Sequence, residues 1–280
     1  MNTPETQDET SPYPLPASSP GPPVTVVSAL DLKPALLFGY DPAPVRAARE
    51  AVDIAPDKRR ALFVAERGRV DFVYNTAALE GNPLTFPEIQ TLLDGITVGG
   101  HRLSDAEQVL RLNHALSFVV GLVKDNAFEL TADTAKSIQG IVAKDEALEW
   151  GVFRNGPVFI QGTEYQVPPA EQLDALFEKG RQALAMIPDA IHRAFLVFLW
   201  GSLIQFFYDG NKRTSRFLCN GILMGAGYPP MMITAKELLA YNQVMTRFYE
   251  TQDATEALVW FYGRYVERIR HFGFVSLPRT

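Results

Sequence analysis

The chain has 280 residues, 47% of them apolar, with 26 basic against 32 acidic side chains and a net charge of −6. That length and apolar content suit one large globular domain, or a domain with an extension. The acidic balance argues against a general nucleic-acid binder, the single cysteine, Cys219, excludes an internal disulfide and fits a reducing, cytoplasmic setting, and no run of about 18 uninterrupted apolar residues predicts a membrane span.

Residues 1–23 are rich in Pro, Ser and Thr and poor in large apolar side chains, which predicts a disordered tail. Lacking a basic start and an apolar core, this tail does not read as a secretory signal. A short helical pattern covers residues 44–53. A second helix is predicted over 56–79, with Leu62, Phe63, Phe72, Val73 and Leu79 turned inward, and Gly81 after Glu80 is a helix stop. Thr85-Phe86-Pro87-Glu88 is a capping box with proline in the first turn, opening a helix that carries Ile89, Leu92 and Leu93. Ser104-Asp105-Ala106-Glu107 repeats the box before a long helix to about residue 124, and residues 131–144 form another.

The helical rhythm then breaks. Val158-Phe159-Ile160 and Tyr165-Gln166-Val167 are β-prone and flank Gln161-Gly162-Thr163-Glu164, so a hairpin is predicted, closed by Pro168-Pro169. Helical patterns resume over 171–186 and 189–207, cross a polar break, and continue over 213–225 until Gly227 and Pro229-Pro230. Thr234-Ala235-Lys236-Glu237 caps a helix to about residue 250, and residues 253–271 form the last one. The expected fold is all-α in the main, with one hairpin and no internal repeat. Cys219, in an apolar helix, is expected to be a buried, inert thiol. Trp260, Phe261, Tyr262 and Tyr265 are expected to pack the core rather than an interface.

The polar break, Asp209-Gly210-Asn211, separates a nearly all-apolar helix from one whose first turns carry Lys212, Arg213 and Arg216. Asp, Gly and Asn favour a tight loop. A helix N-terminus offers unpaired N–H groups and partial positive charge, and a preceding glycine lets a phosphate approach. Arg213 and Arg216 share a helical face and suit bidentate contacts to a polyphosphate. Asp209 suits Mg²⁺ held against the same phosphates. The plainer alternative is a helix capped by Asp209 or Asn211 with solvated arginines, and the residues alone leave both open.

Asp209-Gly210-Asn211-Lys212-Arg213-Thr214-Ser215-Arg216, with Phe207 just upstream, resembles the active-site loop of the Fic (Fido) family. That family mostly transfers AMP from ATP to a hydroxyl of a target protein. The resemblance implies a helical bundle with a β-hairpin flap, ATP and Mg²⁺ as ligands, Gly210, Asn211, Lys212, Arg213 and Arg216 at nucleotide-binding positions, and Asp209 at the metal position. It puts Ile160, Gln161 and Gly162 on a flap that holds the target by strand addition. It also implies a protein target and, as in many relatives, a homodimer. Gln205 stands where the family has its catalytic histidine, and glutamine does not titrate near neutral pH. Lys212 stands where glycine is usual; lysine there also occurs in a branch that includes a phage toxin kinase, which transfers a phosphate from a reversed nucleotide.

Thr76-Ala77-Ala78-Leu79-Glu80-Gly81-Asn82 resembles the family's inhibitory-helix motif, which implies a bidentate pair between Glu80 and Arg216 that denies the arginine to the γ-phosphate. The implied organisation is a tail over 1–23, an inhibitory extension over 24–100 and a Fic core over 101–280. Three activities follow: AMP transfer restrained by Glu80, a nucleotide-binding pseudoenzyme acting through a partner, or a variant phosphoryl or nucleotidyl transfer or AMP removal.

Overall fold

Residues 29–271 are described by the computed structural model, and the tail over 1–23 lies outside the described residues. In chain order the helices are α1 (Ala29–Leu36), α2 (Pro42–Glu50), α3 (Lys58–Arg67), α4 (Arg69–Leu79), α5 (Phe86–Leu93), α6 (Leu103–Lys124), α7 (Ala132–Val142), α8 (Leu173–Ala185), α9 (Ala190–Ile204), α10 (Asn211–Gly225), α11 (Leu238–Thr251) and α12 (Thr255–His271). The mainly helical expectation holds. A helix that is apolar on every side must be surrounded, and α9 is buried from Ile191 to Ile204 save Arg193. It lies along α10, and that pair is enclosed by α3, α6, α7, α8 and α12, with Phe198 of α9 against Tyr241 of α11. The remaining N-terminal helices pack against this shell, α4 on α5 and α6, α2 on α12 and α1 on α8.

Several local signals act as predicted. Asp189 accepts from the His192 N–H at 2.8 Å and starts α9. Thr131 caps α7 through Thr134 N–H, and Glu88 accepts from both the N–H and hydroxyl of Thr85. Glu237 does the same for Thr234, although a short 3₁₀ turn precedes α11. Cys219, Phe261, Tyr262 and Tyr265 are buried in the core.

Other expectations need correction. The predicted helix over 56–79 is two helices, because Gly68 closes α3 on Val64 and α4 restarts at Arg69. Phe63 is exposed, with the Arg67 guanidinium 5.5 Å above its ring. The box at Ser104 is displaced: Asp105 accepts from Arg102 N–H at 3.2 Å, and Ser104 lies inside α6. The predicted hairpin at 158–167 is absent. A turn there is closed by Thr163 N–H to Ile160 O at 3.3 Å, and no strand ladder joins its flanks among the described residues. Its alternating residues Ile160 and Tyr165 pack against the core instead of against a partner strand.

Candidate functional site

The loop between α9 and α10 is built on its own side chains. Gln205 ends α9 in the left-handed conformation, φ 55° and ψ 64°, which is uncommon for a residue with a Cβ. Both ends of its amide are occupied: Nε2 donates to Ser202 O at 2.6 Å, and Oε1 accepts from Asn211 Nδ2 at 2.9 Å. Asn211 also bonds Phe207 at both N–H and C=O, at 2.9 and 2.7 Å, which fixes the turn. Gly210 has φ 75°, and a Cβ there would sit 2.9 Å from the Ala143 methyl, so glycine is required twice over. Asp209 Oδ1 accepts from the Gly210 N–H. Neither Asp209 nor Asn211 caps α10. Gly210 holds the N-cap position with no side-chain cap, so the first-turn N–H groups stay open to an anion.

Two residues that no motif singled out hold this loop in place. Gln139 on α7 is fully buried; its Nε2 donates to Asp209 O at 3.1 Å and its Oε1 accepts from Gly151 N–H at 2.6 Å. Arg154 is 2% exposed. Its Nε donates to Gln205 O at 2.6 Å, Nη1 to Gly156 O and Nη2 to Pro168 O, while its N–H donates to Phe206 O. The segment over 157–168 is therefore tethered at its two ends to the motif loop. Ile160 is partly buried, whereas Gln161 and Gly162 at the turn and Phe159 beside it are exposed.

The two arginines are brought to one end of α10, as their spacing predicts, yet their surroundings differ. Arg213 Nη1 donates to Val142 O at 3.0 Å and pairs with Glu146 Oε2 at 2.6 Å, and its Nη2 is 3.4 Å from Asp209 Oδ1. Burial alone would lower the Arg213 pKa, but Glu80, Glu146 and Asp209 together hold it above its ordinary value. Arg216 is 1% exposed, and its polar neighbours, the Glu80 carboxylate and the Tyr241 hydroxyl, leave its guanidinium nitrogens without a hydrogen bond of good geometry. Glu80 approaches it at 3.9 Å through one oxygen, so the expected bidentate pair is a single, longer approach. Buried beside them is Tyr241 of α11, its hydroxyl pushed up to about 12 by burial against the opposing pull of Arg216. A buried guanidinium without a hydrogen bond of good geometry is rare, so Arg216 keeps donors that the chain leaves unused.

Asp209 has a half-exposed side chain with one oxygen tied to the loop backbone. No three His, Cys, Asp or Glu side chains among the described residues converge to hold a metal by themselves. A lone carboxylate beside an anion site suits Mg²⁺, which completes its shell from phosphate oxygens and water. Lys212 is half-buried in the first turn of α10. Of the histidines placed within the described residues, His192 is sealed at the far end of α9 and His101 is engaged by Glu88 at 3.0 Å.

Residues 129–223 match the Fic/DOC family, a span running from just before α7 to α10. A protein adenylyltransferase Fic of Aedes aegypti is 30% identical over 195 residues, 66% of this chain and 38% of that protein. The chain thus spans well under half of that relative's length. Among solved structures, C. elegans Fic-1 superposes with a TM-score of 0.66 at 21% identity, covering 87% of this chain and 72% of that one. A Fic-domain signalling protein of Bacteroides thetaiotaomicron gives 0.64 at 20% identity, covering 82% and 94%. At those identities the likeness is one of fold.

Proposed function

Since this chain is a Fic-family protein, we propose that it binds ATP at the N-terminus of α10 and transfers AMP to a hydroxyl of a target protein, under restraint by Glu80. The observation that carries this reading is the buried Arg216, without a hydrogen bond of good geometry, beside an uncapped helix N-terminus. A triphosphate supplies what both lack. The open N–H groups of α10, with Gly210, Asn211 and Lys212, receive the phosphates nearest the reaction, and Arg213 and Arg216 receive the outer ones. Asp209 would hold Mg²⁺ together with the phosphates, and the ion would supply neutralisation of charge on the leaving pyrophosphate.

In the transfer, the target oxygen bonds to the α-phosphorus, the bond to the β-phosphate bridge breaks, and the hydroxyl proton goes to water. Gln205 does not accept that proton, since its amide is neutral and already bonded at both ends. Loss of a general base typically costs about 10²- to 10⁴-fold, while positioning and charge stabilisation carry most of phosphoryl transfer. A slow enzyme is therefore expected. Gln161 and Gly162 form an exposed turn, and the unladdered backbone that flanks it is the edge to which a target segment would add. In this reading residues 24–100 are the regulatory extension and residues 101–280 the transferase core.

The test is transfer of label from α-³²P ATP with Mg²⁺ to protein. Glu80→Gly should raise labelling at least tenfold, because Arg216 then has no competing carboxylate, and adding Gln205→His should raise it by about 10² or more. Satisfaction of Gln205 inside the loop favours a second reading, a nucleotide-binding module without turnover. Tight ATP binding with no label in any variant, the histidine variant included, would decide for that reading.

A further inference from the structure

Arg213 is engaged by a carboxylate that no motif marks. Glu146 follows α7 in a turn whose preceding residue, Asp145, is left-handed at φ 60°. Its Oε2 lies 2.6 Å from Arg213 Nη1, with side chains 20% and 4% exposed respectively. Glu146 is itself held: Arg111 of α6 is 3.5 Å from its other oxygen, and Gln108 donates to Oε2 at 3.4 Å. Arg213 Nη1 also donates to Val142 O, so both hydrogens of that nitrogen are turned to the chain. Only the buried, unbonded Nε and part of Nη2 remain to a ligand.

A phosphate offered to Arg213 must therefore displace a charge-assisted bond already made. We propose that Glu146 is a second carboxylate that competes with nucleotide phosphate for the motif, engaging Arg213 from the α7 side as Glu80 faces Arg216 from the α4 side. The inference rests on the nucleotide-binding reading and deepens it. Glu146 has somewhere to go, because Arg111 already flanks it. Release of Arg213 requires only that Glu146 complete its approach to Arg111, which also pairs with Glu107 and Asp145 at 3.1 Å each.

The experiment is calorimetric titration of the full chain with a non-hydrolysable ATP analogue and Mg²⁺. It compares wild type, Glu80→Gly, Glu146→Gln, Glu146→Asp and Asp145→Asn. Glu146→Gln should tighten binding by about tenfold, a coupling of ordinary size. Glu146→Asp, which keeps the charge but withdraws it by one methylene, should tighten it less, and Asp145→Asn, which removes a competing partner from Arg111 and so lets it draw Glu146 off Arg213, should tighten it in the same direction. Without ligand, Glu146→Gln should melt lower than wild type, because the Arg213 charge loses compensation, and saturating analogue should raise its melting temperature by more than it raises that of wild type. If both Glu146 variants bind no tighter while Glu80→Gly binds the analogue, Glu146 merely positions Arg213 and the proposal is overturned. If neither Glu80→Gly nor any Glu146 variant binds, the nucleotide reading falls and takes this inference with it.

Discussion

Arg154 is the residue through which the motif loop and the exposed turn at 161–162 are held to each other. One guanidinium serves the carbonyls of Gln205, Gly156 and Pro168, the last buried and the other two partly so. Arg154→Met keeps the apolar stem and removes the fork, leaving those acceptors without partners. Such groups cost about 1–3 kcal/mol each when buried and unpaired, and partial relaxation brings the expected loss to about 3 kcal/mol. For a chain of this size that lowers the melting temperature by about 10 °C, readable by scanning calorimetry; an unchanged melting temperature would show that the loop does not depend on Arg154. The site was legible where its parts share one turn of helix. Asp209 to Arg216 is a local string, and spacing alone places its arginines on one face. Arg154, Gln139 and Glu146 reach partners 51, 70 and 67 residues away, and nothing in their own neighbourhoods marks them. The competition for Arg213 is invisible without the packing of α7 on α10.

At the scale of elements, periodicity found the long amphipathic helices and the caps fixed most of their starts. It failed where a single residue decides. Gly68 splits one predicted helix into two, and a lone glycine inside a helical pattern is a weak signal in either direction. The β-prone triplets around Gln161 met no partner strand; β-propensity reports fitness for a half-buried surface, and Ile160 and Tyr165 found that surface on the core. Burial there pushes the Tyr165 phenol up to about 12. The contact between α9 and α10 depends on the absence of a side chain. A Cβ on Gly201 would lie 2.2 Å from Ser215 Oγ, which donates to Asn211 O within the first turn of α10. Gly201→Ala should therefore force the two helices apart and cost about 1–3 kcal/mol by overpacking. Gly263→Ala on α12 has nothing within 4 Å of the new methyl and should be neutral or stabilise by up to about 1 kcal/mol. Urea melts of the two variants separate the effects, and equal midpoints would mean that α9 and α10 are not in close contact through Gly201.

For the molecule as a whole, α4 brings Glu80 to Arg216 by packing on α6, and the earlier helices are fastened to the bundle around α9. Arg49 of α2 pairs with Asp189 at 2.8 Å, and Gly39 bonds the chain at Gln252 and Ala254, between α11 and α12. At the centre of that junction His192 lies between two phenols, with Tyr40 OH 2.9 Å from Nε2 and Tyr262 OH 2.7 Å from Nδ1. Burial lowers its pKa to about 4, outweighing the pull of Asp189. In the unfolded chain the same imidazole takes a proton below about pH 6.5. Between about 6.5 and about 4 the unfolded state thus binds the extra proton, and acid favours unfolding. The stabilisation is complete above about pH 6.5 and gone below about 4, an expected loss of about 3 kcal/mol from this group alone. Carboxylates add to the acid slope, so the measurement is a difference. His192→Gln should be less stable at pH 7 yet lose less on acidification, and urea midpoints of the two proteins should converge as pH falls from 7 to 4. Parallel midpoints across that range would show that His192 titrates normally and that the junction is open to water.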